Sequence, residues 1–412
     1  MGNFDSRQGI GTLVNHLGEG EHPHHAHVSP IYQTSTFGFP DVATGAAIFK
    51  GEDPGYAYTR IKNPNQVQLA AKIAALEGLD LLRAQPDKQP GEVVAGQMFA
   101  TGMAAITTAI LSRVKAGDTI IAQEALYAAT FTFLDQIAPQ YGIRVVWLHD
   151  LHPQAWQDAF RAHPGAVLAY AETPANPTMA IVDLAALAEI AHRHNAWVMV
   201  DNTFASPYAQ RPLTLGVDVV LHSTTKYLSG HGTLVGGAAA SNHVEWVTGK
   251  LTSMLKTLGG SAAPFDCWLT SLGLRTFELR MQRHCENAAR VANYLEFHPK
   301  VAQVFYPGLE SHPDHHLAQR QMSAYGGMIS FELKGGLAAG EALLNHVRLM
   351  TLAVSLGNTD TLIQHPASMT HANVPRAERL KIGLTDGLVR LSVGVENVED
   401  ILADLEQALA YV

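Results

Sequence analysis

A lysine at the end of an apolar strand is costly to bury, and this sequence places one at position 226. The segment LHSTTKYLSGHG, residues 221–232, carries an apolar run at 217–221 into a turn dense in hydroxyls, then Lys226, then glycines. An isolated lysine in such a place usually snorkels to solvent. A desolvated one keeps a partly neutral amine and can act as a Schiff-base nucleophile. VMVDNTF puts Asp201 at the end of another candidate strand, 197–201. An acid there is either a turn cap or the partner of a protonated ring nitrogen. ATGMAAI, residues 100–106, follows a candidate strand at 93–99 and opens a helix. The free N–H groups around Gly102 and Met103 would make an anion site. Ser223 and Thr225 add hydroxyl donors suited to the same anion. Each signal alone has a commoner structural reading. Together, amine, acid, anion nest and hydroxyls supply each contact that pyridoxal phosphate requires.

Short apolar runs alternate with amphipathic stretches along most of the chain. Candidate strands fall at 119–122, 144–148, 166–171, 197–201, 217–222 and 234–239, with a helix at 183–194 capped by Asp183. That pattern predicts an α/β fold whose mostly parallel sheet is covered on both faces and binds ligands at the carboxyl ends of its strands. Residues 1–60 lack apolar periodicity and read as an extended arm, 61–260 as the large domain, and 261–412 as a smaller C-terminal α/β domain. The last opens with a long helical stretch, 265–297, continues with strands at 301–306, 327–333 and 389–393, and closes with a helix from Val398.

Composition narrows the function classes. The chain has 412 residues, 47% hydrophobic and only 16% charged, which fits a large core and surface hidden between subunits. A net charge of −9 argues against binding nucleic acid, and no apolar run reaches a membrane span. Two cysteines, 267 and 285, exclude a disulfide framework, and the N-terminus lacks the layout of a secretory signal. A cytoplasmic location is expected.

The sequence resembles the Cys/Met-metabolism family of pyridoxal-phosphate enzymes from SPIYQTSTF at 29–37 to RLSVGVENVEDILADLEQAL at 390–409. The specific blocks are DNTFASPYAQRPL, HSTTKYLSGH, QHPASMTH and RLSVG. The resemblance implies an aspartate aminotransferase-like fold of type I and a homotetramer of two catalytic dimers acting on a small amino acid. It implies that Lys226 is the Schiff-base lysine, Asp201 the partner of the pyridine nitrogen, and Gly102, Met103, Ser223 and Thr225 the phosphate shell. Tyr58 and Arg60 of YTRIKNPN are similar to residues that reach the phosphate from the neighbouring subunit. Tyr127 of EALYAATF matches the tyrosine that stacks on the cofactor ring and moves a proton to the γ-leaving group. Asn176 of ETPANP corresponds to the contact with the phenolic oxygen, and Arg390, with Ser355 beside it, to the clamp on the substrate carboxylate.

Within the family, lyases for cystathionine typically carry a glutamate before the SLG triplet, where this chain has Val354. An unpaired buried charge is expensive, so an uncharged γ-substituent is favoured. The QHPASMTH and GGMISFELKGG blocks look most like the methionine γ-lyase branch, which releases methanethiol, 2-oxobutanoate and ammonia from L-methionine. Ala129 and the Lys256–Thr257 pair depart from that branch, which carries cysteine and Lys-Asp there. O-acetylhomoserine sulfhydrylase, then cystathionine γ-lyase or synthase, stay open as alternatives. A non-catalytic module with this fold would have no physical reason to keep the whole set. The His22, His24, His25 and His27 cluster reads as a solvated arm rather than a metal site, and His312, His315 and His316 as a surface turn. Cys267 and Cys285 read as small core residues, and Gly230, Gly232, Gly236 and Gly237 as points of close backbone packing.

Overall fold

The computed structural model describes every residue except 1–4, 6, 20, 21, 371, 373, 374 and 382. His371, which closes the QHPASMTH block, therefore lies outside the described residues, as does the extreme N-terminus. Seven strands build the large sheet: β1 (Ala95–Phe99), β2 (Thr119–Gln123), β3 (Arg144–Leu148), β4 (Ala166–Glu172), β5 (Trp197–Asp201), β6 (Val219–Ser223) and β7 (Gly237–Ser241). Their order is β1-β7-β6-β5-β4-β2-β3, parallel throughout except for β7, which runs antiparallel to both neighbours.

The apolar runs in these strands feed two cores. Val198 and Val200 pack with Trp156, Phe160 and Leu187 on one face, whereas Met199 packs with Ile106, Leu168 and Leu221 on the other. Alternate side chains point to opposite faces, so a strand covered by helices on both sides must be apolar at every position. The parallel strands then deliver their polar C-terminal residues, Glu172, Asp201 and Ser223, to one edge.

The smaller sheet has five strands, β8 (Val301–Phe305), β9 (Met328–Leu333), β10 (Thr351–Leu352), β11 (Leu362–Gln364) and β12 (Leu388–Ser392), ordered β10-β11-β12-β9-β8. Ile329, Phe331, Val389 and Leu391 bury its inner face against helices Phe277–Glu296, Gly336–His346 and Val398–Leu409. Among the described residues, no helix is long and apolar enough to cross a membrane.

Several expectations need correction. The helical stretch at 265–297 is two helices, Pro264–Leu274 and Phe277–Glu296. The break is stabilised by buried Arg280, whose Nη2 donates to the freed Gly273 carbonyl at 2.8 Å and whose Nη1 donates to that of Tyr227 at 2.8 Å. The N-terminal arm is not extended throughout. It contains helix Ile10–His16, which buries Leu13 and Val14, and helix Val42–Lys50, capped by Asp41. The strand expected at 234–239 begins only at Gly237. His312 is buried rather than at a surface turn, with burial pushing its imidazole below the ordinary value. Cys267 and Cys285 are free thiols, raised to about 12 by burial.

Candidate active site

A cavity of about 530 Å³ opens where the carboxyl ends of β4, β5 and β6 meet the small domain. The large domain lines it with Gly102, Met103, Tyr127, Asn176, Asp201, Ser223, Thr225 and Lys226, and the small domain adds Val354, Ser355, Gln364 and Arg390. Ten of the twelve residues singled out from sequence therefore converge on one space. Tyr58 and Arg60 do not. Arg60 Nη1 donates to the Lys256 carbonyl at 2.6 Å, and its guanidinium lies 5.5 Å from the centre of the Tyr58 ring.

The anion nest is built by close packing. Thr101 caps helix Gly102–Arg113, its Oγ1 accepting from Ala104 N at 2.9 Å, which leaves the N–H groups of Gly102 and Met103 without an intrahelical partner. A Cβ on Gly102 would come within 2.9 Å of Ser223 Cβ, and one on Gly237 within 2.1 Å of the Thr101 carbonyl oxygen. Bare glycines thus let the helix start press onto the ends of β6 and β7. Thr225 Oγ1 accepts from Gly236 N at 3.0 Å, which secures the turn after β6.

Lys226 Nζ donates to Ser355 Oγ at 2.6 Å. Burial, then the positive charge of Arg390, brings the amine down to about 8 from an ordinary 10.5. Ser355 has φ 94°, a conformation non-glycine residues rarely adopt, and it presents its hydroxyl to Lys226 and its carbonyl to Arg390. Arg390 donates through Nη2 to that carbonyl at 2.8 Å and through Nη1 to Asn176 Oδ1 at 3.0 Å. Full burial lowers the guanidinium to about 10.

Two acids lie side by side at the strand ends, since Glu172 on β4 is in register with Asp201 on β5. Asp201 Oδ1 accepts from Thr203 N at 2.9 Å, and burial raises its carboxyl. Glu172 is pushed up to about 8 by burial and then by the charge of Asp201, against the pull of two backbone N–H groups. Sequence reading missed Glu172, although it carries the same signal as Asp201, an acid closing an apolar strand. It also missed Thr203, Gln364 and the Thr101 cap. Half-exposed Tyr127 starts helix Ala128–Thr132, and Ala129 and Val354 line the cavity without charge. Thr257 is not in the lining; its hydroxyl donates to the Ser253 carbonyl at 2.9 Å. Among the described residues, no group of three or more His, Cys, Asp or Glu is arranged to hold a metal ion.

The family profile described as Cys/Met metabolism PLP-dependent enzyme matches residues 11–410. Over 404 residues the chain is 45% identical to an L-methionine gamma-lyase of Fusobacterium nucleatum subsp. nucleatum, covering 98% of each protein. It is 46% identical to that of Porphyromonas gingivalis, covering 98% of this chain and 97% of the relative. A solved cystathionine gamma synthase from Xanthomonas oryzae pv. oryzae, in complex with aminoacrylate and cysteine, superposes with a TM-score of 0.89 at 37% identity, covering 98% of each chain.

Proposed function

The chain belongs to the Cys/Met metabolism family of PLP-dependent enzymes, and from that premise we propose that it converts L-methionine and water to methanethiol, 2-oxobutanoate and ammonia. One observation carries this reading. The same cavity holds buried Lys226 and Arg390, half-exposed Tyr127, and uncharged Val354 and Ala129 where a zwitterionic tail would need a partner. An L-methionine gamma-lyase activity is named for relatives at 45–46% identity.

The residues fit pyridoxal phosphate. At Gly102 a Cβ would fill the cradle between helix and strand, and buried Asp201, oriented by the Thr203 N–H at Oδ1, lines the cavity as the carboxylate that a ring N–H would need. Gly102 and Met103 N–H groups, Ser223 and Thr225 would hold the phosphate, Asn176 the phenolic oxygen, Tyr127 the ring face and Lys226 the aldehyde carbon. The cofactor, when bound, supplies an electron-accepting ring that stabilises charge left at Cα.

The chain supplies the rest. Arg390 pairs with the substrate α-carboxylate and fixes its orientation, with Ser355 beside it. The Lys226 amine, neutral above about pH 8, takes the proton from Cα and moves protons along the chain. Tyr127 delivers a proton to the departing sulfur. Exclusion of charge around Val354 and Ala129 suits a methylsulfanyl group, and one methylene more would change selectivity by only ~1–3 kcal/mol.

We further propose a homotetramer of two catalytic dimers, in which Tyr58 and Arg60 complete the neighbour's site. Their absence from their own cavity lining and the exposure of Val42, Phe49 and Tyr58 support it. Two free thiols suit a reducing cytoplasm. The deciding assay is 2-oxobutanoate formation from L-methionine, L-homocysteine, L-cystathionine and O-acetyl-L-homoserine, each with and without sulfide. Methionine left intact while O-acetylhomoserine with sulfide gives homocysteine would replace the elimination reading by sulfhydrylation.

A further inference from the structure

Two segments that carry site side chains are joined by a single carboxylate. Glu172 ends β4 and is 4% exposed. Its Oε2 accepts from the backbone N of Tyr127 at 2.9 Å, and its Oε1 accepts from the backbone N of Asn176 at 2.9 Å. The main chain of Glu172 is itself held by the Gln123 amide at the end of β2. Glu172 N donates to Gln123 Oε1 at 3.1 Å, and its carbonyl accepts from Gln123 Nε2 at 2.9 Å. A connected path therefore runs from the rigid sheet, through Gln123 and Glu172, to the loop bearing Tyr127 on one side and to Asn176, and so Arg390, on the other.

The two ends differ in how much else holds them. Arg390 keeps a second anchor at the Ser355 carbonyl and sits within β12, paired with β9 and β11. Tyr127 stands at the start of a five-residue helix, with its side chain half-exposed. Its backbone N–H has no other acceptor than Glu172 among the described residues. A carboxyl group has an acceptor oxygen on each side, protonated or ionised, whereas an amide offers one oxygen and an NH₂ that cannot accept.

We propose that Glu172 is a positioning residue, which sets Tyr127 at the γ-substituent relative to the carboxylate clamp at Arg390. The inference rests on the elimination reading above, because it assigns Tyr127 the proton for the leaving group. A neutral turn-capping role would affect folding alone. A positioning role singles out the step that uses Tyr127 and spares steps that use only Lys226 and Arg390.

The test compares two reactions of the holoenzyme. L-alanine has an α-hydrogen and a carboxylate but no γ-substituent, so its α-deuterium exchange in D₂O is independent of a leaving-group acid. In Glu172→Gln, elimination from methionine and from O-acetylhomoserine is expected to fall about tenfold to a hundredfold, the cost of slight misplacement, while alanine exchange stays close to wild type. Glu172→Asp, with both acceptors on a shorter stem, shows the same imbalance to a smaller degree and stands in if the glutamine variant fails to fold. Parallel loss of both reactions, or loss of neither, overturns the positioning role. A wild type that exchanges alanine but eliminates neither γ-substituted substrate instead overturns the functional reading.

Discussion

Lys226 and Ser355, 129 residues apart and in different domains, are joined by a 2.6 Å hydrogen bond from Nζ to Oγ. The bond spans the cavity that both residues line and ties the amine of the large domain to a hydroxyl of the small one. Arg390, held by the Ser355 carbonyl, is close enough for its charge to lower the same amine.

That arrangement sets a pH dependence. The amine of Lys226 is brought down to about 8 from 10.5 in the folded chain, so its neutral, nucleophilic fraction rises through pH 8. Once the cofactor is stripped, its recapture by Lys226 is expected to accelerate with a midpoint near 8, followed by visible absorbance. Between 8 and 10.5 the unfolded chain binds the extra proton, so this group adds stability to the stripped protein as pH rises across that window. Lys226→Ala should lose turnover by about a hundredfold to ten-thousandfold or more and retain its circular dichroism. A midpoint near 10.5 would show a solvated lysine.

Arg390→Lys tests the carboxylate clamp. Lysine cannot reproduce the fixed fork that reaches Asn176 Oδ1 and the Ser355 carbonyl together. A charge-assisted bond lost in a buried site costs about 1.5–3 kcal/mol, so KM for every amino-acid substrate should rise by about ten- to a hundredfold. Equal KM values in steady-state kinetics would remove Arg390 from substrate binding.

Shared sites predict complementation. The two-fold dimer proposed above would bring Arg60 of one subunit and Lys226 of the other into one composite site. Hybrids of an Arg60→Ala subunit with a Lys226→Ala subunit should regain about half the activity of a wild-type dimer, because one site of the pair is intact. Verified hybrids that stay inactive would show that Arg60 serves its own chain.

Gly237→Ala probes the phosphate cradle. The added Cβ would lie 2.1 Å from the Thr101 carbonyl oxygen, a backbone atom that cannot swing aside. The strain is expected to cost about 1–3 kcal/mol, read by denaturant unfolding, and to weaken cofactor retention by displacing the start of helix Gly102–Arg113. An unchanged midpoint and unchanged retention would show that the helix start shifts freely.

Most of the site was legible because its residues close local patterns. Asp201 and Ser223 each end an apolar run, Lys226 follows one across a short turn, and the helix at Gly102 opens after one; burial on both faces forces such runs to be apolar and expels polar groups to the strand ends and turns. Asp201 was legible only in company, from the lysine and anion nest read with it and from the family resemblance. Glu172 was not, although it ends β4 in register with Asp201. Its meaning lies in accepting from Tyr127 and Asn176, and a strand-end acid with no stated partner reads as a turn cap.

The sequence by itself therefore determined which residue types stand at the ends of which elements, since periodicity of two or 3.6 is a local property of the chain. Sheet order and domain docking decided the rest. Only they bring Ser355 with its φ of 94° against Lys226, seat Arg390 on Asn176 across 214 residues, and keep Tyr58 and Arg60 out of their own cavity. They also place Arg280 where it can donate to the Gly273 carbonyl at the helix break. No periodic pattern specifies such meetings, because each depends on how separate faces pack once their apolar sides are buried.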